Sequence, residues 1–359
     1  MSFAPFYVGT CEARVHAERE LPFDYIEETP FKPFEIQDPF GLRTAVVPVF
    51  MRAPDGRMFG MGTAFHFDGW GGYLTADHVI DFTREMLPKR GLDPQQSAML
   101  NPAILNHAVL MLGMGAVWGT VGVPKWAMVP VESIGSMTAE DDDPMAALRG
   151  AALHKVIADL ARMQVRFAPE TKPAPCSLPI RLKGWQPNVG DQVFAVGFPE
   201  LKCEEVDEIR MRSLISEGMH GAYGEITGFY PHGRDRANPT PVFEVEAEWP
   251  SGMSGGPVFN RAGEVVGVVS RSLLSDGDAK GIGYAACLPA IPQMADLLCT
   301  ADPHNPGWRR GYGVLRREPW HLAGVDTSMD AAQAFATKLG ADYLVRFGSQ
   351  RIGTNDFMS

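Results

Sequence analysis

Gly252-Met253-Ser254-Gly255-Gly256-Pro257 separates two strand-like runs, Val242 to Trp249 before it and Val258-Phe259-Asn260 after it. In the first run Glu244, Glu246 and Glu248 alternate with Val245, Ala247 and Trp249, the period of two expected of a strand. The turn between the runs is built for an unusual backbone. Gly252 lets the chain turn so that two N–H groups point at one spot, and Gly255 and Gly256 allow close approach that side chains would block. Two glycines and Pro257 oppose a helix at this point. A serine presented this way is a candidate nucleophile. Its hydroxyl is a poor one until a base takes the proton and donors stabilise the oxyanion.

Leu74-Thr75-Ala76-Asp77-His78-Val79 supplies the base. His78 ends a β-rich run, where a strand is expected to hold the ring still. A carboxylate should sit on the far side of the imidazole. Asp77, next in sequence, would point to the opposite face of a strand. Asp159, entering the apolar run Ala158 to Val165, is the stronger candidate, with Asp141, Asp142 and Asp143 as alternatives upstream of it.

The rest of the composition narrows the class. The 359 residues are 45% hydrophobic and 21% charged, enough to bury a substantial core. With 38 glycines and 29 prolines the chain favours short strands and turns over a helical bundle. Net charge is −11, so the basic footprint of a nucleic-acid binder is missing. The longest charge-free apolar stretch, Ala108 to Val123, is broken by Gly113, Gly115, Gly119 and Gly122 and reads as two strands with turns. A bilayer-crossing helix needs ~20 apolar residues, so no membrane association is expected. Met1 to Phe6 shows no secretory pattern. Cys11, Cys176, Cys203, Cys287 and Cys299 are odd in number and scattered, as free thiols in a reducing compartment would be. The expected location is the cytoplasm.

Along the chain, residues 1–41 are rich in proline and aromatics and read as an arm over a surface. Short strand signals then occupy a first lobe, 42–168: Ala45 to Arg52, Met61 to Phe67 and Tyr73 to Val79. A proline-crowded linker, 169–178, leads to a second lobe, 179–300. Met145 to Lys155 and Ile291 to Cys299 are expected to be helical. In the extension 301–359, Thr327 and Asp330 approximate a capping box for a helix from Ser328 to Leu339, with Gly340 to end it.

Three segments, T-A-x-H-V, D-L-A-x-x-x-V and G-x-S-G-G-P, occur in the order His78, Asp159, Ser254. In this combination the chain resembles the trypsin-like (chymotrypsin-fold) serine peptidases, closest to the bacterial Deg/HtrA branch. Gly190 to Pro199, Asn260 to Val268 and Gly281 to Ala285 are further matches, so the resemblance covers roughly residues 42–300. It implies an all-β core of two six-stranded antiparallel β-barrels, with short helices and N- and C-terminal extensions. It also implies a serine endopeptidase acting on protein or peptide substrates. Ser254 would be the nucleophile, His78 the general acid/base and Asp159 its orienting acid. The N–H groups of Gly252 and Ser254 would form the oxyanion hole. Ser270 would support Asp159 and line the cleft, and Gly281 and Gly283 would close the specificity pocket.

Departures from the family pattern matter. His78 and Asp159 lie farther apart than usual, so an insertion within 81–155 must loop out of the first lobe. Residues 301–359 are too few and wrongly patterned for a PDZ domain; they or the arm 1–41 could instead dock a regulatory protein or simply cover barrel surface. Met253 replaces a polar residue. A thioether cannot anchor an ammonium group, so N-terminal trimming is not expected to be the switch. Glu248 stands where relatives of basic specificity keep an acid, though a solvated strand face would explain all three alternating glutamates. An α/β-hydrolase esterase would need a helix after the serine and the order Ser, acid, His; Asp296 and His321 do lie downstream. A catalytically quiet binding module of the same fold is the other alternative, although such modules usually lose a triad member. The remaining histidines show no ligand spacing, and neither metal nor cofactor is expected.

Overall fold

The computed structural model describes residues 6–10, 17–19, 32–36, 42, 45–52, 58–67, 71–81, 108–111, 128–140, 154–165, 176–178, 180–182, 184–199, 205–206, 218–234, 239–275, 280–291, 294, 308–326, 328–351 and 355–358. Two antiparallel sheets dominate. The first comprises β1 (Val46–Arg52), β2 (Met58–His66), β3 (Gly72–Thr75), β4 (Ala108–Met111), β5 (Met128–Glu140) and β6 (His154–Val165). Their order is β2-β1-β4-β5-β6-β3, and β3 pairs back onto β2, closing a six-stranded barrel. Closure pairs every strand on both sides, although β3 covers β2 only at Phe65 and His66. Val46, Val47, Val49, Phe50, Phe65, Leu74, Leu160 and Met163 are all buried, in one apolar cluster that extends beyond the barrel.

The second barrel comprises β7 (Gln192–Gly197), β8 (His220–Tyr230), β9 (Val242–Glu246), β10 (Pro257–Phe259), β11 (Val265–Leu273) and β12 (Ile282–Cys287). The order β7-β10-β11-β12-β9-β8 is closed by β7–β8 pairing. This is the double-barrel architecture that the resemblance implies. A strand, not a helix, follows the Ser254 turn, which is incompatible with an α/β-hydrolase elbow.

The barrels are laced to their surroundings. Phe34–Glu35 adds to β8, with the Phe34 ring stacked on Tyr223 at 5.8 Å. Glu205–Val206, from the second half of the chain, adds an edge strand to β2 of the first barrel. Near the C-terminus, β13 (Trp308–Arg316), β14 (His321–Asp326), β15 (Leu344–Arg351) and β16 (Phe357–Met358) form a sheet crossed by α1 (Met329–Leu339). This unit packs against the first barrel: Phe347 stacks on Phe67 at 6.4 Å, and buried Arg310 donates to Gln164 at 3.3 Å. Arg346 also approaches Glu264 at 4.0 Å.

Several local expectations change. His78 is not at a strand end: β3 stops at Thr75, and Asp77–Ile80 forms a single 3-10 turn. The strand expected to reach Trp249 ends at Glu246. Lys155, expected in a helix, belongs to β6, while 145–153 lie outside the described residues. Most of Ile291 to Cys299, and all of 112–127 and 141–143, also lie outside them. The cap of α1 is Ser328 rather than Thr327, its hydroxyl accepting from the Ala331 N–H at 3.4 Å. Gly340 ends the helix at φ +122°.

Candidate active site

The site is assembled where the barrels meet. The 3-10 turn after β3 carries His78, and β6 passes alongside and presents Asp159. Nδ1 of His78 lies 3.0 and 2.9 Å from the two carboxylate oxygens of Asp159, and the His78 backbone N–H donates to Oδ1 at 3.0 Å. Ring and backbone are thereby held together, and Nε2 is left as the nitrogen available to a partner. From the second barrel, the Ser270 hydroxyl donates to Asp159 Oδ2. Thr240 accepts the Asp159 backbone N–H at 2.7 Å.

These contacts set the charge states. Burial pulls the His78 pKa down, but the hydrogen bond and charge of Asp159 outweigh it and leave it above the usual 6.5. Burial likewise pushes Asp159 up, and is outweighed by His78 and by Ser270, so its carboxyl titrates below the usual range. Partner contacts dominate desolvation at both groups.

Ser254 joins this cluster through Ser270, whose carbonyl accepts from its Oγ at 3.4 Å. No hydrogen bond joins Ser254 to His78 among the described residues.

The turn carrying Ser254 is fixed in detail. Met253 N–H donates to the Pro250 carbonyl at 3.1 Å, and Gly252 sits at φ +99°, which is the geometry of a type II turn with glycine at its third position. A Cβ on Gly252 would fall 2.3 Å from the Phe198 carbonyl oxygen. Gly255 N–H donates to Val269 and Gly256 N–H to Met253. The N–H groups of Gly252 and Ser254 take no partner among the described residues. Two alternate donors are thus left free beside a serine hydroxyl, the inventory an oxyanion needs.

The clasp around this turn comes from the first barrel. Thr63 Oγ1 donates to the Gly252 carbonyl at 2.7 Å and accepts the Phe198 N–H at 3.1 Å, while its backbone N–H donates to the Ser254 carbonyl at 2.8 Å. Thr75 Oγ1 donates to the Thr63 carbonyl at 2.7 Å. Beneath the turn, the fully buried Met253 side chain packs among Val193, Ala195, Trp249 and Val258. Sequence reasoning passed over Thr63 and Thr240. Neither lies in a motif, and both act through contacts far away in sequence.

The residues expected to shape specificity are distributed differently. Gly281 and Gly283 pack on Glu248 and Trp249: a Cβ would meet Glu248 Cγ at 2.7 Å or the Trp249 indole at 2.3 Å. The space at Gly283 is therefore taken by Trp249. Glu248 receives the Ser275 hydroxyl. The three glutamates are part-exposed and alternate with buried Val245, Ala247 and Trp249, and on that face Glu244 accepts from Thr227, Tyr230 and Tyr284 while Glu246 pairs with Lys280 at 2.5 Å. A cavity of about 250 Å³ lies elsewhere, bounded by His78, Asp159, Ser270, Arg271, Arg234 and Tyr284 among others. No group of His, Cys, Asp and Glu among the described residues is placed to hold a metal ion.

Two closed barrels, with a serine turn and a carboxylate-held histidine both tied to Ser270 at their junction, define the class by architecture and site together. The family model for the trypsin-like peptidase domain matches residues 62–268, and the chain belongs to this family. Among curated proteins it is similar to the probable periplasmic serine endoprotease DegP-like of Pseudomonas savastanoi pv. phaseolicola, 30% identical over 44% of this chain and 27% of that protein. The protein of the same description from Pseudomonas fluorescens is 30% identical over 30% of this chain and 20% of that protein. The match thus spans about a fifth to a quarter of these relatives' length. Among solved structures, the active form of the Rv3671c protease from M. tuberculosis aligns over 78% of this chain and 96% of its own, at 16% identity and a TM-score of 0.40.

Proposed function

We propose that the chain is a serine endopeptidase using Ser254, His78 and Asp159. The observation that carries this reading is the pairing of a His78 ring fixed through Nδ1 with two unpartnered N–H groups flanking Met253. Ser254 Oγ attacks the scissile carbonyl carbon while His78 Nε2 takes its proton. The carbonyl oxygen, now an anion, is received by the N–H groups of Gly252 and Ser254. The imidazolium, stabilised by Asp159, hands the proton to the departing amine, leaving an acyl group on Ser254. Water, deprotonated by the same His78, then releases the acid.

The substrate backbone has a place to bind. β11 pairs with β10 only as far as Val268, and from Arg271 onward it pairs with β12 alone among the described residues. Its other edge is available to an extended peptide, which would add as a strand beside Ser254.

Labelling of the full-length protein by a fluorophosphonate tests the reading. Wild type should be modified at Ser254, with Ser254→Ala and His78→Ala unlabelled and slower at peptide cleavage by several orders of magnitude. A folded Ser254→Ala protein that cleaves as fast as wild type refutes it. A folded wild type that binds peptide but neither labels nor cleaves establishes the quiet binding module.

The compartment belongs to the same proposal. An odd set of scattered cysteines, with Cys287 a buried free thiol, fits the cytoplasm, whereas the DegP-like relatives are described as periplasmic. Fractionation of producing cells decides it, and recovery from the periplasm overturns the cytoplasmic assignment.

A further inference from the structure

The cavity beside His78 and Asp159 has walls of opposite character. The first barrel contributes acids. Asp159 is matched by His78 and Ser270, and Asp77 and Asp81 have interactions of their own. The second barrel contributes two arginines, Arg234 and Arg271, and neither forms an ion pair among the described residues.

Both guanidinium groups are placed there by specific devices. Arg234 lies over the Tyr284 ring, 4.0 Å from its centroid. That ring is itself pinned, its phenol donating to Glu244 Oε2 at 3.0 Å. Glu244 also receives Tyr230 at 3.2 Å and Thr227 at 2.8 Å, so its carboxylate is spent on hydroxyls. Arg271 owes its position to a β-bulge. Consecutive strand residues point to opposite faces, yet Ser270 and Arg271 both line the cavity. The register of β11 against β12 slips between Val269 and Arg271, and an extra residue there re-aims its neighbours.

We propose that this cavity receives an acidic side chain of the peptide substrate, an Asp or Glu lying a few residues from the scissile bond. The inference rests on the peptidase reading for the path of the peptide. A chain laid along the free edge of β11 passes Arg271 directly, and its side chains reach the cavity. A carboxylate there meets two planar donors without ion-pair partners, whereas a lysine would face the same two positive charges. The protein's net charge of −11 repels an acidic peptide at long range, so the attraction must be local.

Internally quenched peptides differing only by Glu, Gln or Lys, scanned position by position, test this on the full-length protein. At one position kcat/KM should favour Glu over Gln by about three- to ten-fold, with Lys lowest. The advantage should shrink as salt is raised. In Arg234→Gln and Arg271→Gln the Glu-to-Gln ratio should fall toward one, whatever the absolute rate. A protein that labels at Ser254 yet shows no Glu preference, or keeps it in both variants, overturns the acidic subsite and leaves the peptidase reading intact. Absence of Ser254 labelling and of cleavage strikes the peptidase reading instead. Fluorescence anisotropy of the same peptides on Ser254→Ala then measures the cavity's preference directly, and equal binding of Glu and Gln peptides again overturns it.

Discussion

Asp159 gathers a ring nitrogen, a backbone N–H and a hydroxyl onto one carboxylate, and the pH behaviour follows from that. His78 must be neutral to act as a base, and its pKa is raised. The acid limb of kcat/KM should therefore have its midpoint above about 6.5, the unperturbed imidazole value. Asp159→Asn should move that midpoint down and lower turnover by roughly 10⁴-fold. A pH profile of both proteins checks this. For stability the sign runs through the depressed Asp159 pKa. Its contribution is present above the unfolded carboxylate pKa and is lost as pH falls through the folded one.

Met253 is the other informative residue. It has no exposed surface and holds the turn by burial, where an ion pair with a freed N-terminus would be conditional. Met253→Ala should destabilise the protein by about 2–4 kcal/mol, read as a lowered denaturation midpoint, and slow turnover. Met253→Leu should retain both. Uncut protein should label at Ser254. If mass spectrometry finds labelling only on chains cleaved near residue 41, burial alone does not set the turn.

At the scale of elements, the turn 250–256 was legible because positive φ and close approach, whatever the neighbour, both call for glycine. Gly252 needs φ +99°, and a Cβ on Gly255 would strike the Thr63 carbonyl oxygen at 2.0 Å. Gly252→Ala should cost about 1–3 kcal/mol of backbone strain and lower kcat by roughly 10²–10³ as one oxyanion donor is displaced. Steady-state kinetics alongside thermal denaturation separates the two effects. The motif order and the alternation of strands were likewise local signals, visible in the chain itself. Thr63, Thr240 and the arginine pair were not, because their roles depend on a bulge and on pairings between strands far apart in sequence. The same limit explains Glu244: alternation marks a strand, but not the three hydroxyls waiting on its outer face.

At the scale of the whole molecule, the C-terminal unit behaves as part of the wall. Tyr312, Val314, Met329 and Phe347 belong to the same apolar cluster as the core of the first barrel. Truncation after residue 300 should therefore expose that cluster and reduce solubility and melting temperature. A truncated protein that stays soluble and cleaves peptides normally, but fails on a protein substrate, would assign the unit to docking instead.

The Thr63 clasp has a consequence during synthesis. Its two halves, Thr63 and Gly252, are 189 residues apart. At ribosomal speeds of ~5–20 residues per second, the first half waits roughly 10–40 s for the second. His78 and then Asp159 emerge during that interval, but the proposed nucleophile Ser254 and the N–H groups beside it come only at its end. The chain therefore cannot cut itself, or a neighbour on the same messenger, until most of its length has been made.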